Sequence, residues 1–276
     1  MENHGLQQMD RCRVEIIVVG REILIGRTHD TNSHWIARRI ASLGGKTERI
    51  VAVDDDVTSI TKEIITARSN HTRVIITVGG LGPTRDDKTL GAVAEATGHA
   101  LFLDPHALDF VKDRYRFFEA QGFVDSDAIT PSRQKMAMIP EGSQILKNSV
   151  GAAPGVHLEL KDVSLFSVPG VPKEMQSIFE GEMVEILKSI FGKKVFLEET
   201  ITTPLSDESQ LGEILNWAMK EIPGVYLKSR PTHFGRDVHM EVTLSASGDD
   251  QKKVGVEIDR AIRCIEKRIH EEIPDN

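Results

Sequence analysis

The chain has 276 residues, 39% hydrophobic and 28% charged, the ordinary balance of a globular protein with one large or two modest domains. Its net charge of −8 argues against a general nucleic-acid binder, which would carry a basic patch or stripe, while leaving room for a local basic pocket. Along the chain, Val14–Val19 predicts a first strand. Thr31–Leu43 predicts a helix with Trp35, Ile36, Ile40 and Leu43 at helical spacing, stopped by Gly44 and Gly45. Thr47–Val53 reads as a second strand and Val57–Ser69 as a helix with Val57, Ile60, Ile64 and Ile65 on one side. Val74–Val78 is a third strand, and Lys88–Thr97 a helix closed by Gly98. The repeated strand–helix–strand order implies an α/β fold with a parallel sheet covered on both faces.

Further on, Leu108–Gln121 and Ser132–Met138 predict helices, with a turn at Ile139–Gly142. His157–Leu160 and Ser164–Val168 read as paired strands, followed by one helix over Lys173–Phe191 whose buried side is Ile178, Phe179, Met183, Ile186, Leu187 and Ile190. Gly192, Lys193 and Lys194 mark the expected boundary, giving a first domain over 12–192 and a second over 193–276. The second reads as strand Val195–Thr203, helix Ser206–Glu221 with an N-cap at its start, strands Val225–Ser229 and Val238–Ser245, and a long helix Asp249–His270. That order predicts a small α+β domain with two helices on one sheet face.

Cys12 and Cys264 lie far apart and outside any CxxC, so no disulfide framework or cysteine zinc site is indicated and a reducing cytoplasm is the expected location. The first ten residues have no apolar core of a signal peptide, and no apolar run approaches the roughly 20 residues of a membrane span. His29 and His34 are five apart and do not share a helix face as zinc ligands would.

The chemistry concentrates where strands end. Val74–Val78 runs into Gly79-Gly80-Leu81-Gly82-Pro83, then Thr84, Arg85, Asp86, Asp87 and Lys88. Glycines at a strand's carboxyl end let backbone amides approach a ligand, and ligands of open α/β sheets bind there. The four charged residues call for partners, and a hard divalent cation would use Asp86 or Asp87 with phosphate oxygens. Gly20–Ser33 follows the first strand: Glu22 has no packing rationale, while Asp30, Thr31 and Asn32 either cap the next helix or face a ligand. Asp54, Asp55 and Asp56 follow the second strand, as a solvated turn or as a carboxylate facing Asp86 across the crevice. Asn148–Gly155 and Val168–Met175 form narrow loops of small residues and prolines, and Lys173 beside Pro172 is placed to meet phosphate.

Four blocks carry a resemblance: G-R-E-I-L-I-G-R-T-H-D-T-N-S, V-G-G-L-G-P-T-R-D-D-K-T, N-S-V-G-A-A-P-G and V-P-G-V-P-K-E-M. Together they resemble the CinA family of competence/damage-inducible proteins, within the molybdopterin-binding superfamily that includes molybdopterin adenylyltransferase. The resemblance implies a three-layer α/β/α domain with a mostly parallel sheet, a following KH-like α+β module, and a homo-oligomer. It implies a pocket for a nucleotide or pterin, formed by the G-G-L-G and P-G-V-P loops, with functional aspartates at Asp55 and Asp86. It also implies metal-dependent cleavage of the pyrophosphate of ADP-ribose or a related dinucleotide. In that reading Asp55, Asp86, Glu22 and Lys88 are catalytic, and Asp55, Asp86 and Asp87 hold Mg, Mn or Co. Gly79, Gly80, Gly82, Arg85, Asp30, Asn32, Asn148, Gly151, Pro169, Gly170 and Lys173 bind substrate. The alternative is molybdopterin binding or adenylyl transfer in molybdenum cofactor biosynthesis; adenylyltransferase relatives carry G-G-T-G, and Leu81 stands at the third position here. A CinA-type C-terminal deamidase domain is not expected within these 276 residues. An RNA-binding role for the KH-like module is opposed by the acidic charge and by the lack of a G-X-X-G loop in Val195–His270.

Overall fold

The structure, a computed structural model, describes residues 12–192, 195–231 and 239–272. In chain order the larger unit contains β1 (Arg13–Val19), α1 (Arg21–Leu24), α2 (Thr31–Ser42), β2 (Lys46–Val53), α3 (Val57–Ser69), β3 (Val74–Val78), α4 (Thr89–Thr97) and β4 (Leu101–Leu103). It continues with α5 (Pro105–Ala120), α6 (Pro131–Lys135), β5 (Met138–Pro140), β6 (Gln144–Leu146), β7 (Gly155–Glu159), β8 (Ser164–Val168) and α7 (Pro172–Ile178). A π-helical segment, Phe179–Met183, then leads into α8 (Val184–Phe191). The smaller unit holds β9 (Val195–Thr203), α9 (Glu208–Glu221), β10 (Val225–Pro231), β11 (Met240–Gly248) and α10 (Gln251–Glu272). The larger compact unit spans 12–41 and 45–190, and the smaller one holds the described residues from Phe191 onward. The expected boundary residues Lys193 and Lys194, and Val238 of an expected strand, lie outside the described residues.

The larger unit is built on a six-stranded sheet in the order β2-β1-β3-β8-β7-β6. β2, β1, β3 and β8 are parallel, and β7 and β6 add antiparallel at the edge. Central β3 is buried along its whole length, as its continuous Val/Ile run requires of a strand covered on both faces, whereas edge β2 alternates toward exposure. On one face Ile60, Ile64 and Ala67 of α3 and Ala92, Val93 and Ala96 of α4 pack on Ile17, Val19 and Ile75. The other face buries Ile36 and Ile40 of α2 and Phe179, whose ring meets Trp35 edge-on at 5.2 Å.

Three expectations need correction. The helix expected over Lys173–Phe191 is broken: Gly181 takes ψ −111° inside the π-helical segment, a torsion that ends regular hydrogen bonding. The turn expected at Ile139–Gly142 begins instead with β5, which pairs antiparallel with β4, so the short helix before it stops at Lys135 rather than Met138. The helix expected from Ser206 is capped by Asp207, whose carboxylate accepts from Ser209 N at 2.8 Å.

In the smaller unit, β9 and β10 flank β11 in an antiparallel sheet. Leu211, Ile214, Leu215 and Ala218 of α9 and Val254, Ile258, Ala261, Ile265 and Ile269 of α10 share one core with Val225, Leu227, Val242 and Leu244. Spacings of three and four along both helices produce that apolar stripe.

Candidate ligand site at the strand ends

The chain leaving β1 crosses to β2 on one side, whereas the chain leaving β3 runs on toward β8 on the other, and these opposite directions open a crevice at the carboxyl ends of β1 and β3. A cavity of about 650 Å3 is lined from those ends: Glu22 after β1, Asp55 after β2, Gly79–Gly82 with Asp86 and Asp87 after β3, and Pro169, Gly170 and Glu174 after β8.

The glycine loop is tightly held. Gly79 has φ +104° and Gly80 φ +70°, and a Cβ at Gly79 would collide with the carbonyl of Val19. Gly79 N donates to Val168 O at 2.9 Å. Buried Thr89, at the start of α4, donates its hydroxyl to Gly79 O at 2.7 Å and its backbone N–H to Gly80 O at 3.2 Å. The loop is therefore fixed by carbonyls and side chains behind it. From the far side, Lys135 Nζ donates to Asp87 O at 2.5 Å and to Thr84 O. Burial pushes the Lys135 amine below the ordinary lysine value.

The three successive acids divide their tasks. Asp54 forms a fork with Arg21, 2.8 Å to Nη2, which with the Asp55 backbone N–H holds its carboxyl below the usual range. Asp56 caps α3 through Ser59 N at 2.9 Å. Asp55 alone lines the cavity, with one oxygen accepting from Arg21 N at 3.0 Å. Across the cavity the Thr84 hydroxyl sits between Asp86 and Asp87, 2.6 Å from Asp87 Oδ2, and lowers the Asp86 pKa with help from Lys135 and Lys88. Asp87 Oδ2 also accepts from Thr84 N at 2.8 Å. Among the described residues no three His, Cys, Asp or Glu gather as a metal-ligand group. Asp55, Asp86 and Asp87 thus share a cavity without closing into the expected three-carboxylate set, because Asp87 is turned onto its own loop. A hard cation held by Asp55 or Asp86 would have to draw its remaining ligands from phosphate and water.

Other expected residues stand outside the lining. Asp30 places both oxygens on Ser33, 3.0 Å to its N, as a helix cap. Asn32 donates to Gly170 O at 2.7 Å and so clamps the P-G-V-P loop, while its buried Oδ1 has no partner. Asn148 is fully buried and accepts from Val150 N at 3.0 Å and Gly151 N at 2.9 Å. Its amide donates to Ala153 O at 2.8 Å and Glu174 Oε2 at 2.7 Å. Gly151 packs against Glu174 so closely that a Cβ would overlap the carboxylate. Arg85, Lys88 and Lys173 are exposed.

Sequence reasoning passed over two polar lining residues and the loop's lysine. Glu174 was legible only as a charge favourable to the start of α7, yet it is half-buried on the cavity wall, and burial raises its pKa. Tyr115 is one aromatic among several on α5, and Lys135 lies 48 residues from its partner Asp87, so neither leaves a local signal.

Fold and site together define an α/β domain with its pocket at the sheet's topological switch point. Residues 15–189 match the family described as "Probable molybdopterin binding domain". A protein of Thermococcus kodakarensis is 36% identical over 252 residues, covering 91% of this chain and 98% of that one. One of Aeropyrum pernix is 39% identical over 258 residues, covering 92% and 91%. The crystal structure of the protein CinA with unknown function from Thermoplasma acidophilum superposes with a TM-score of 0.58 at 33% identity, covering 64% of this chain and 98% of that one. The chain belongs to the molybdopterin-binding-domain family, and its similarity to CinA extends from the four sequence blocks to the fold. Among the described residues no helix is long and apolar enough to cross a membrane.

Proposed function

We propose that the cavity binds a phosphorylated pterin of the molybdopterin class and joins it to a nucleotide through a phosphate–phosphate bond. The observation that carries this reading is the convergence, in a molybdopterin-binding family member, of a rigid glycine loop and the Asp55 and Asp86 carboxylates on one cavity of about 650 Å3. The backbone N–H groups of Gly80–Gly82, on the cavity lining, are suited to phosphate. Arg85, Lys88 and Lys173 add positive charge outside the lining. Asp55 and Asp86, with phosphate oxygens, would hold a divalent cation such as Mg, Mn or Co, which would screen phosphate charge. The pterin phosphate oxygen attacks the α-phosphorus of the nucleoside triphosphate, and pyrophosphate leaves.

A second reading uses the same groups for hydrolysis of ADP-ribose or a related dinucleotide, with Glu22 taking the proton from attacking water. Leu81 favours it: the side chain is buried and brings no hydroxyl to the loop where adenylyltransferase relatives have threonine. Incubation with radiolabelled ATP and molybdopterin, beside ADP-ribose, in the presence of Mg, Mn or Co and of EDTA, separates the two. Metal-dependent transfer of label to the pterin supports the first reading. Release of AMP from ADP-ribose without transfer assigns the second, and neither product overturns both.

A further inference from the structure

The phosphate-binding groups occupy one part of the cavity wall and leave another unexplained. Tyr115 of α5 and Glu174 of α7 both line the cavity. The guanidinium of Arg133 lies over the Tyr115 ring, 3.8 Å from its centroid, and is itself anchored to Ser126 O and Ala128 O at 2.7 Å each. Arg133 does not itself line the cavity, so it braces the Tyr115 ring from outside and polarises its electrons. Arg114, next to Tyr115 in the chain, donates to Val150 O at 2.8 Å and Gly151 O at 2.9 Å. Gly151 in turn presses against Glu174. The ring and the carboxylate thus belong to one continuous wall. Asn148 fixes Glu174 Oε2 from behind at 2.7 Å, so the carboxylate has a defined orientation and unused acceptor capacity.

We propose, resting on the reading that this cavity binds a phosphorylated ligand, that Tyr115 and Glu174 select a 2-amino-4-oxo heteroaromatic ring, the edge shared by pterins and guanine. The ring stacks on Tyr115, and its two adjacent N–H groups pair with the two oxygens of Glu174. Burial of Glu174 makes an unpaired charge costly and a ligand with two matching donors correspondingly favoured. A ring lacking the 2-amino group leaves one acceptor of that pair unfilled.

Equilibrium titration of the full chain with D-neopterin 3′-monophosphate, GMP, IMP and inorganic pyrophosphate tests this. IMP lacks the 2-amino group of GMP. The amino-bearing ligands should bind at least about tenfold tighter than IMP, in line with one charge-assisted hydrogen bond. Glu174→Gln offers one donor and one acceptor and should bring the ratio to within about twofold by the same count. Tyr115→Leu should weaken all ring ligands at least about fivefold through lost stacking. Pyrophosphate affinity should be the same in wild type and both variants. Equal binding of GMP and IMP by wild type, or an unchanged ratio in Glu174→Gln, overturns the ring assignment even where pyrophosphate binds. Ring discrimination without pyrophosphate binding keeps the assignment and overturns the phosphate reading of the glycine loop. Tighter neopterin monophosphate than GMP identifies a pterin as the source of the ring, and the reverse a guanine nucleotide.

Discussion

The two ends of the central sheet handle charge in opposite ways. Near the amino end of β1, Glu15 is only 2% exposed yet satisfied entirely within the protein. It accepts from Asn70 Nδ2 at 3.0 Å, Thr72 Oγ1 at 2.7 Å and Arg49 Nη1 at 3.2 Å, and Arg49 also reaches Glu63. At the carboxyl ends, Glu22, Asp55 and Asp86 stand around an open cavity with acceptor capacity left over. A buried charge with every partner present is a structural device, whereas a cluster of unfilled acceptors beside a rigid glycine loop is suited to a ligand.

Breaking the amino end should cost the most stability and leave binding alone. Glu15→Ala leaves Arg49, Asn70 and Thr72 without their shared acceptor and should lower unfolding free energy by about 3 kcal/mol in urea titrations, with ligand affinity per folded molecule unchanged. Gly79→Ala attacks the other end: a positive φ and a collision with Val19 O should cost about 2 kcal/mol or more and abolish ligand binding in calorimetry. Asp86→Asn should separate the ends most cleanly. Turnover should fall at least about 100-fold while the urea midpoint corresponds to a change within about 0.5 kcal/mol.

Asn32→Ala removes the clamp on Gly170 O and should cost about 1 kcal/mol, with a modest loss of ligand affinity. The smallest effect belongs to His157, stacked on Phe166 at 4.4 Å and bonded to Ser164 Oγ at 2.7 Å. Burial lowers its pKa, so the unfolded chain takes up the proton first as pH falls. Its contribution is complete above the ordinary histidine value and is lost as pH drops from there through the folded value. His157→Gln should flatten that part of the stability curve; an unchanged slope between pH 8 and pH 5 would remove His157 as its source.

The fold was legible wherever one period ran long enough. The five-residue run Val74–Val78 and the helix Val57–Ser69 appear with the expected limits because continuous burial and capping by Asp56 are local properties. β4 and β6, three residues each, carry too little pattern to register, and the Gly181 break follows from a torsion rather than from the apolar spacing around it. At the site, the glycine loop and Asp55 follow from their place after a strand. The roles of Asp30, Asn32 and Asn148 could not, since each depends on where a side-chain atom points after folding. Glu174 needed its contacts with Asn148 and Gly151, distant in sequence, before its burial was visible.

The most direct measurement is a crystal structure grown with a phosphorylated pterin and a divalent cation. The phosphate should accept hydrogen bonds from the backbone N–H groups of Gly80–Gly82, with Asp55 and Asp86 on the cation. A pterin phosphate bound at the amino end of the sheet, or with its phosphate directed away from that loop, would contradict the account.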